Sequence, residues 1–142
     1  MGNVLGNVPT RKRIEWALFA REAARRDGHL LIADPGFDYL APVKLPDEIT
    51  LAAVASVFIY YEDVGNELPP LTVELVAPSG AILDQEERTL VGNAAAILPG
   101  ERSRDVLVAD LTAVIRQPGT YVLRLRCEDD VVEQEIILRP QG

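Results

Sequence analysis

The sequence predicts a mainly β fold, an antiparallel β-sandwich of about seven to eight strands or a partly open barrel. Three observations point there. Apolar residues alternate with polar ones at period two through most apolar stretches. Turn-forming groups, among them Asp27-Gly28, Asp34-Pro35-Gly36, Pro78-Ser79-Gly80 and Pro118-Gly119, recur between those stretches. The end of the chain also closes on itself as a hairpin. From Tyr121 to Cys127 apolar residues hold one face, and a return strand from Val131 to Leu138 can face them across a turn at Asp129-Asp130. That register sets Cys127 opposite Val132, Leu123 opposite Ile136 and Tyr121 opposite Leu138. On the other face it pairs Arg126 with Glu133 and Arg124 with Glu135.

In chain order, residues 1–12 read as a flexible tail holding Arg11-Lys12 of a basic cluster completed by Arg13, and 13–142 as a single domain. The cluster could serve as a short arm for an acidic partner. Ile14–Arg26 is ambiguous. Ile14, Trp16 and Leu18 alternate as in a strand, while the alanines and the Glu22/Arg26 spacing favour a helix. His29–Ile32 reads as a strand ended by Asp34-Pro35-Gly36, and residues 41–50, with two prolines, as a crossing loop. Leu51–Tyr61 is apolar on both faces, interrupted only by Ser56. A central strand covered on both sides has this pattern, and so does one whose outer face meets another subunit. Two covers are open: a second copy in a homodimer, or the chain's own segment 86–104, which has no clear assignment. Leu71–Val76 is a strand leading into a three-residue loop at Pro78-Ser79-Gly80, which sets Leu75 opposite Leu83. Val106–Ile115 is the next strand before the closing hairpin. The strand count and spacing suit an immunoglobulin- or C2-like sandwich.

Certain motifs carry a resemblance: Trp16-Ala-Leu-Phe-Ala, Asp27-Gly28-His29-Leu30-Leu31-Ile32, Gly36-Phe37-Asp38, Leu45-Pro46, and the closing Pro118-Gly119-Thr120-Tyr121. Together they resemble a bacterial and phage-associated β-sandwich domain family of unknown function. The resemblance spans most of the chain, and it implies a strand over 14–20 followed by a short helical insert at residues 21–26. Two positions depart from the pattern: His29 replaces the usual lysine, and Arg21 stands where the family often has aspartate. The family implies a fold and no activity, so no catalytic residue follows from it.

Composition narrows the function classes. A formal charge of −8 over 142 residues disfavours nucleic acid and an anionic membrane surface. No apolar run approaches the ~20 residues that span a bilayer. The N-terminus lacks a secretory signal's basic and apolar regions, and the lone Cys127 fits a reducing cytoplasm. Twelve arginines to two lysines read as coding bias or heat adaptation.

Catalytic sets are missing. His29 is the only histidine, no nucleophile elbow occurs, no Cys/His cluster suits zinc, and no glycine-rich loop cradles a phosphate. Carboxylates at predicted loop tips remain: Asp34, Asp38, Glu62, Asp63, Glu128, Asp129 and Asp130. Sandwich loops gathered at one end can hold calcium through six to eight oxygens. The expected function is therefore a non-enzymatic protein-interaction or assembly module of the cytoplasm, with a protein partner or homo-oligomer and no cofactor. The alternative is a small-ligand or calcium-binding sandwich using the acidic tips.

Overall fold

The computed structural model describes residues 12–27, 29–35, 44–63, 65–90 and 97–139; for Asp34 and Pro35 it describes the backbone alone. Eight strands are present among them: β1 (Ile14–Arg26), β2 (His29–Pro35), β3 (Asp47–Tyr60), β4 (Leu71–Val76), β5 (Ile82–Arg88), β6 (Arg102–Ile115), β7 (Gly119–Cys127) and β8 (Asp130–Leu138). A 3-10 turn, Tyr61–Asp63, follows β3. The strands form two antiparallel four-stranded sheets, ordered β2-β1-β3-β6 and β5-β4-β7-β8. No helix among the described residues is long and apolar enough to cross a membrane.

The core lies between the sheets and is built by alternation. Leu51, Ala53, Ala55, Val57 and Ile59 of β3 meet Leu71, Val73 and Leu75 of β4 and Tyr121, Leu123, Leu125 and Cys127 of β7. Strand β3 pairs with β6 along its whole length, from Asp47 opposite Ile115 to Tyr60 opposite Arg102. It therefore takes in residues 47–50, expected to be loop.

Residues 21–26 are strand, not helix. Ala20–Arg26 ladders with His29–Pro35, and Asp27 turns the chain at φ 49°. Helix propensity differs by only tenths of a kcal/mol per residue, and a continuous ladder to β2 outweighs it. The closing hairpin is also corrected. Its turn is Glu128-Asp129, with Glu128 at φ 53°, and the pairs are Cys127 with Asp130, Arg124 with Glu133 and Tyr121 with Ile136. The shift is two residues, so every side chain keeps its face. The loop at Pro78-Ser79-Gly80 forms as expected, closed by Gly80 N–H to the Ala77 carbonyl at 2.9 Å. An irregularity beyond it sets Leu75 opposite Asp84 in place of Leu83.

The second face of β3 is not bare. Ala52, Val54, Ser56 and Phe58 are buried, with Val54 at 0% exposure in the single chain. Trp16, Ser56 and Val106 share one cross-strand row. Arg25 lies nine residues beyond Trp16, about 30 Å along an extended strand. Its Nη1 nevertheless donates to the Val106 carbonyl at 2.7 Å. The far half of β1, with β2, must therefore leave the line of the sheet and cross its outward face. Arg102 lies over the Phe58 ring, 3.9 Å from its centroid, and the Glu15 carboxylate accepts from Ser56 Oγ at 2.9 Å. Of the apolar residues described in segment 86–104, Leu90 and Ile97 join the core between the sheets and not this outer face, and Leu98 is exposed.

Candidate interaction surface

Three of the acidic groups at loop tips do converge, and what they converge on is Arg13. Asp63 takes the guanidinium in a fork, Nη1 to Oδ2 at 2.6 Å and Nη2 to Oδ1 at 2.8 Å. Nε donates to Glu128, and Nη1 also reaches the Phe58 carbonyl at 3.2 Å. The Asp130 carboxylate accepts the backbone N–H groups of Arg13 at 2.7 Å and Ile14 at 2.9 Å. The side chain lies 5.4 Å from the Tyr60 ring centroid, and Tyr60 O–H donates to the Lys12 carbonyl. Hydrogen bonding to Asp63 leads the causes that raise the Arg13 pKa further above its ordinary value. Arg13, expected to complete a basic arm, thus finds acidic partners within the chain.

Two other acidic candidates lie on exposed turns. Glu62 is exposed on the 3-10 turn, where its carbonyl accepts from Asn66 Nδ2 at 2.9 Å. Asp129 is exposed in the hairpin turn. The Asp34 side chain and all of Asp38 fall outside the described residues. Among the described residues no group of three or more His, Cys, Asp or Glu is arranged to hold a metal ion. Cys127 sits behind the Arg13 node, and burial pushes its pKa up to about 11. At neutral pH it is a protonated, enclosed thiol and a poor nucleophile.

The sandwich has two unlike sides. At the β5/β6 side, the free edge of β6 is capped by side chains: Arg25 on the Val106 carbonyl, Arg88 Nε on the Val108 carbonyl at 3.3 Å, and Asp84 Oδ2 on the Thr112 N–H at 2.7 Å. These three residues are of one parity, so their backbone groups share the edge that faces away from β3. At the opposite side each edge strand has one strand neighbour among the described residues. For β8 it is β7. β1 from Ile14 to Phe19 has only β3, because β2 joins it from Ala20 onward. Between these edges runs a groove of about 430 Å³ bordered by Ile14, Trp16, Val131 and Val132. Trp16 is 39% and Val131 50% exposed. Glu15, Asp129 and Asp130 also line it, against the single amine of Lys12. Arg104 holds the Glu15 carboxyl below the usual carboxylate range through hydrogen bonds of 2.7 Å to both oxygens.

A second cleft, about 800 Å³, separates the crossing β1–β2 hairpin from the sheet beneath. Arg21, Ala23, Leu30 and Ile32 line it from the hairpin, Thr50 and Asp110 from β3 and β6.

Sequence reasoning missed Arg13 as a centre and Trp16 as a groove wall. No local signal identifies either, since the groups Arg13 meets lie 45 to 117 residues away and Val131 and Val132 across the groove from Trp16 more than a hundred. No protein-family model and no curated protein matches the sequence.

Proposed function

We propose that the chain is a non-enzymatic protein-interaction module that engages partners by main-chain pairing at its open side. The observation that supports this most is the asymmetry of its edges. One side is capped by three side-chain hydrogen bonds, whereas β8 and the first half of β1 each have a single strand neighbour among the described residues. Edge strands with vacant backbone groups accept added strands, and proteins that do not use them usually blunt them. The carboxylates weighed for chemistry add to the case, because Asp63, Glu128 and Asp130 are engaged with Arg13. A cytoplasmic setting is supported by the single cysteine, buried and protonated.

The test is selection of extended peptides from a random display library on the immobilised chain, with amide exchange mapping of each binder. Binders that protect β8 or the start of β1 support the module. Binders that protect only the loops, or no recurrent binder, would overturn it.

A second reading, a small-ligand carrier, draws on the 800 Å³ cleft, whose size suits a drug-sized molecule. A metabolite that raises the melting temperature and protects Leu30–Ile32 without touching β8 would favour it.

A further inference from the structure

We infer that the cleft beneath the β1–β2 hairpin binds an organic cation, an ammonium group on an aliphatic body, with Asp110 as its counter-ion. This rests on the small-ligand reading of that cleft, names the chemistry of the ligand and stands apart from the pairing of edge strands.

The hairpin is held to the sheet at both ends of its crossing. At its base Ala20 is 0% exposed and lies opposite Ala52 of β3. Near its tip Arg25 Nη1 donates to the Val106 carbonyl of β6. Between these two ties the hairpin spans the outward face, with the cleft of about 800 Å³ under it. That size suits a small organic ligand.

Alternation along the hairpin decides which groups face inward. Arg21, Ala23, Leu30 and Ile32 are half-buried and share one face, since Ala23 pairs with Ile32 and Arg25 with Leu30. Glu22, Ala24, Arg26 and Leu31 are exposed on the other. The inward wall is thus aliphatic apart from Arg21, and Arg21 already has an interaction of its own. Glu22 and Arg26, of opposite sign, stand at the rim and offset each other.

The floor has the opposite character. Asp110 and Thr112 follow each other on the outward face of β6, and Thr50 lies directly opposite Thr112. The two threonine hydroxyls bond each other at 3.0 Å. Asp110 lies opposite Ala52, whose methyl group offers no hydrogen bond. Among the described residues Asp110 has neither an ion pair nor a hydrogen bond of its side chain. Two basic side chains reach the edge of β6, and both are occupied. Arg25 is on the Val106 carbonyl, and Arg88 is on the Val108 carbonyl and Glu86. The Asp84 carboxylate, on the Thr112 N–H, adds negative charge beside the floor. The uncompensated charge inside the cleft is therefore a carboxylate, and a cation complements it.

An exposed ion pair alone contributes little, so a bare ion is not the ligand. An ammonium at Asp110 with an alkyl chain against Leu30 and Ile32 adds burial of apolar surface to the charge-assisted contact. No aromatic side chain lines the cleft among the described residues, which favours an alkyl chain over a flat ring.

The experiment titrates the full chain with n-octylammonium, octan-1-ol and octanoate, which share one alkyl chain, and with methylammonium, which has the charge alone. Backbone amide chemical shifts locate each probe and give its affinity. Octylammonium is expected to shift Leu30–Ile32, Thr50 and Asp110 and to bind about tenfold more tightly than octanol. Octanoate should be the weakest of the three, and methylammonium should leave these amides unmoved. In Asp110→Asn, which replaces the carboxylate by an amide of the same shape, the ammonium should lose its advantage over the alcohol. Ile32→Ala should weaken both to a similar degree, which separates a seated alkyl chain from diffuse attraction to a protein of net charge −8. Amide spectra with the dispersion of the wild type establish that both variants are folded. Octanol or octanoate bound at the cleft as tightly as octylammonium would overturn the cation and leave the small-ligand reading standing. An unchanged preference in Asp110→Asn would overturn the proposal in the same way. If no probe shifts the cleft amides, or the shifts scatter over the acidic surface, the proposal and the small-ligand reading both fall.

Discussion

Arg13 and Glu74 are both charged and both nearly enclosed, at 7% and 1% exposure, but the fold treats them differently. Arg13 is met by two carboxylates and a carbonyl, each at a hydrogen-bonding position. Its partners come from the end of β3 and the β7–β8 turn, so one side chain ties three distant stretches. Glu74 sits on the outward row of β4 beside Arg124. Its Oε1 lies 2.9 Å from Arg126 Nη2 and 3.9 Å from Arg124 Nη1, yet it accepts no well-directed hydrogen bond. Both arginines are partly in water, with side chains 45% and 32% exposed. The difference teaches that burial does not rank a charge. What ranks it is whether removal strands a partner away from solvent. Removing Arg13 strands Asp63, whose side chain is 14% exposed, while Glu128, at 42%, stays within reach of water. Removing Glu74 leaves two arginines that water can reach.

The largest expected effect is therefore Arg13→Met, a loss of about 3–5 kcal/mol in chemical denaturation. Arg13→Lys should recover little of it, because an ammonium cannot reproduce the two-pronged contact with Asp63. Cys127, packed behind the node, gives an independent readout. In the wild type its thiol, pushed up to about 11 by burial, should resist a disulfide-exchange reagent at pH 8. Labelling should be much faster in Arg13→Met. The folded-state pKa is raised, so this group's contribution is whole below the unfolded thiol's pKa of about 8.5 and is lost as pH rises toward 11. A cost below about 1 kcal/mol with unchanged labelling would show that the node does not tie the three stretches.

Asp63→Asn comes next. It keeps the shape and one acceptor but points an amide at Nη1 or Nη2 and removes a charge, at a cost of about 1.5–3 kcal/mol. Tyr60 N–H also donates to Asp63 Oδ2 at 2.7 Å, so amide exchange at Tyr60 should rise in the same variant.

The two nodes also mark where the sequence was legible. Alternation from Tyr121 to Cys127 and from Val131 to Leu138 fixed which residues face the core, and the structure keeps every one of those faces. Alternation leaves the phase open, since a slide of two residues preserves it. Phase is tied instead to Glu128 and Asp130 reaching Arg13, contacts that span 115 and 117 residues and leave no trace in local pattern. The same holds at 21–26, where alanines and arginines suit a helix until β2 is placed beside them. Leu51–Tyr61 was legible as a strand without a wet face. What covers it was not, because the cover is a hairpin that leaves its own sheet. The open side falls in the same class: β8 reads as a strand from its sequence, but its standing at an edge is a property of the whole sheet order.

Glu74 should give a small effect. Glu74→Gln is expected to change stability by no more than about 1 kcal/mol in either direction, since its partners remain solvated and its Oε1 forfeits no aligned hydrogen bond. A loss as large as that of Arg13→Met would break the comparison and mean that Arg124 and Arg126 are held by Glu74 far more tightly than their exposure implies.

The smallest effect belongs to the Arg124–Glu133 pair, and it sharpens the contrast from the exposed end. Arg124 Nε donates to Glu133 Oε2 at 2.7 Å across the β7–β8 ladder. That bond leads the causes that raise the Arg124 pKa. Truncation to alanine is the suitable probe, because reversing Arg124 would set a carboxylate against enclosed Glu74, whereas Arg124→Ala leaves Arg126 to compensate it. A double-mutant cycle of Arg124→Ala with Glu133→Ala should show a coupling that shrinks in high salt. The parallel cycle with Glu135→Ala should show less, since Glu135 lies opposite Val122 and only diagonal to Arg124. The two cycles decide between turns at Glu128-Asp129 and Asp129-Asp130, and so measure the phase that Arg13 is held to impose. Stronger coupling to Glu135 would place the turn one residue later, carry Glu128 and Asp130 away from the guanidinium, and remove the distinction between Arg13 and Glu74 at its source.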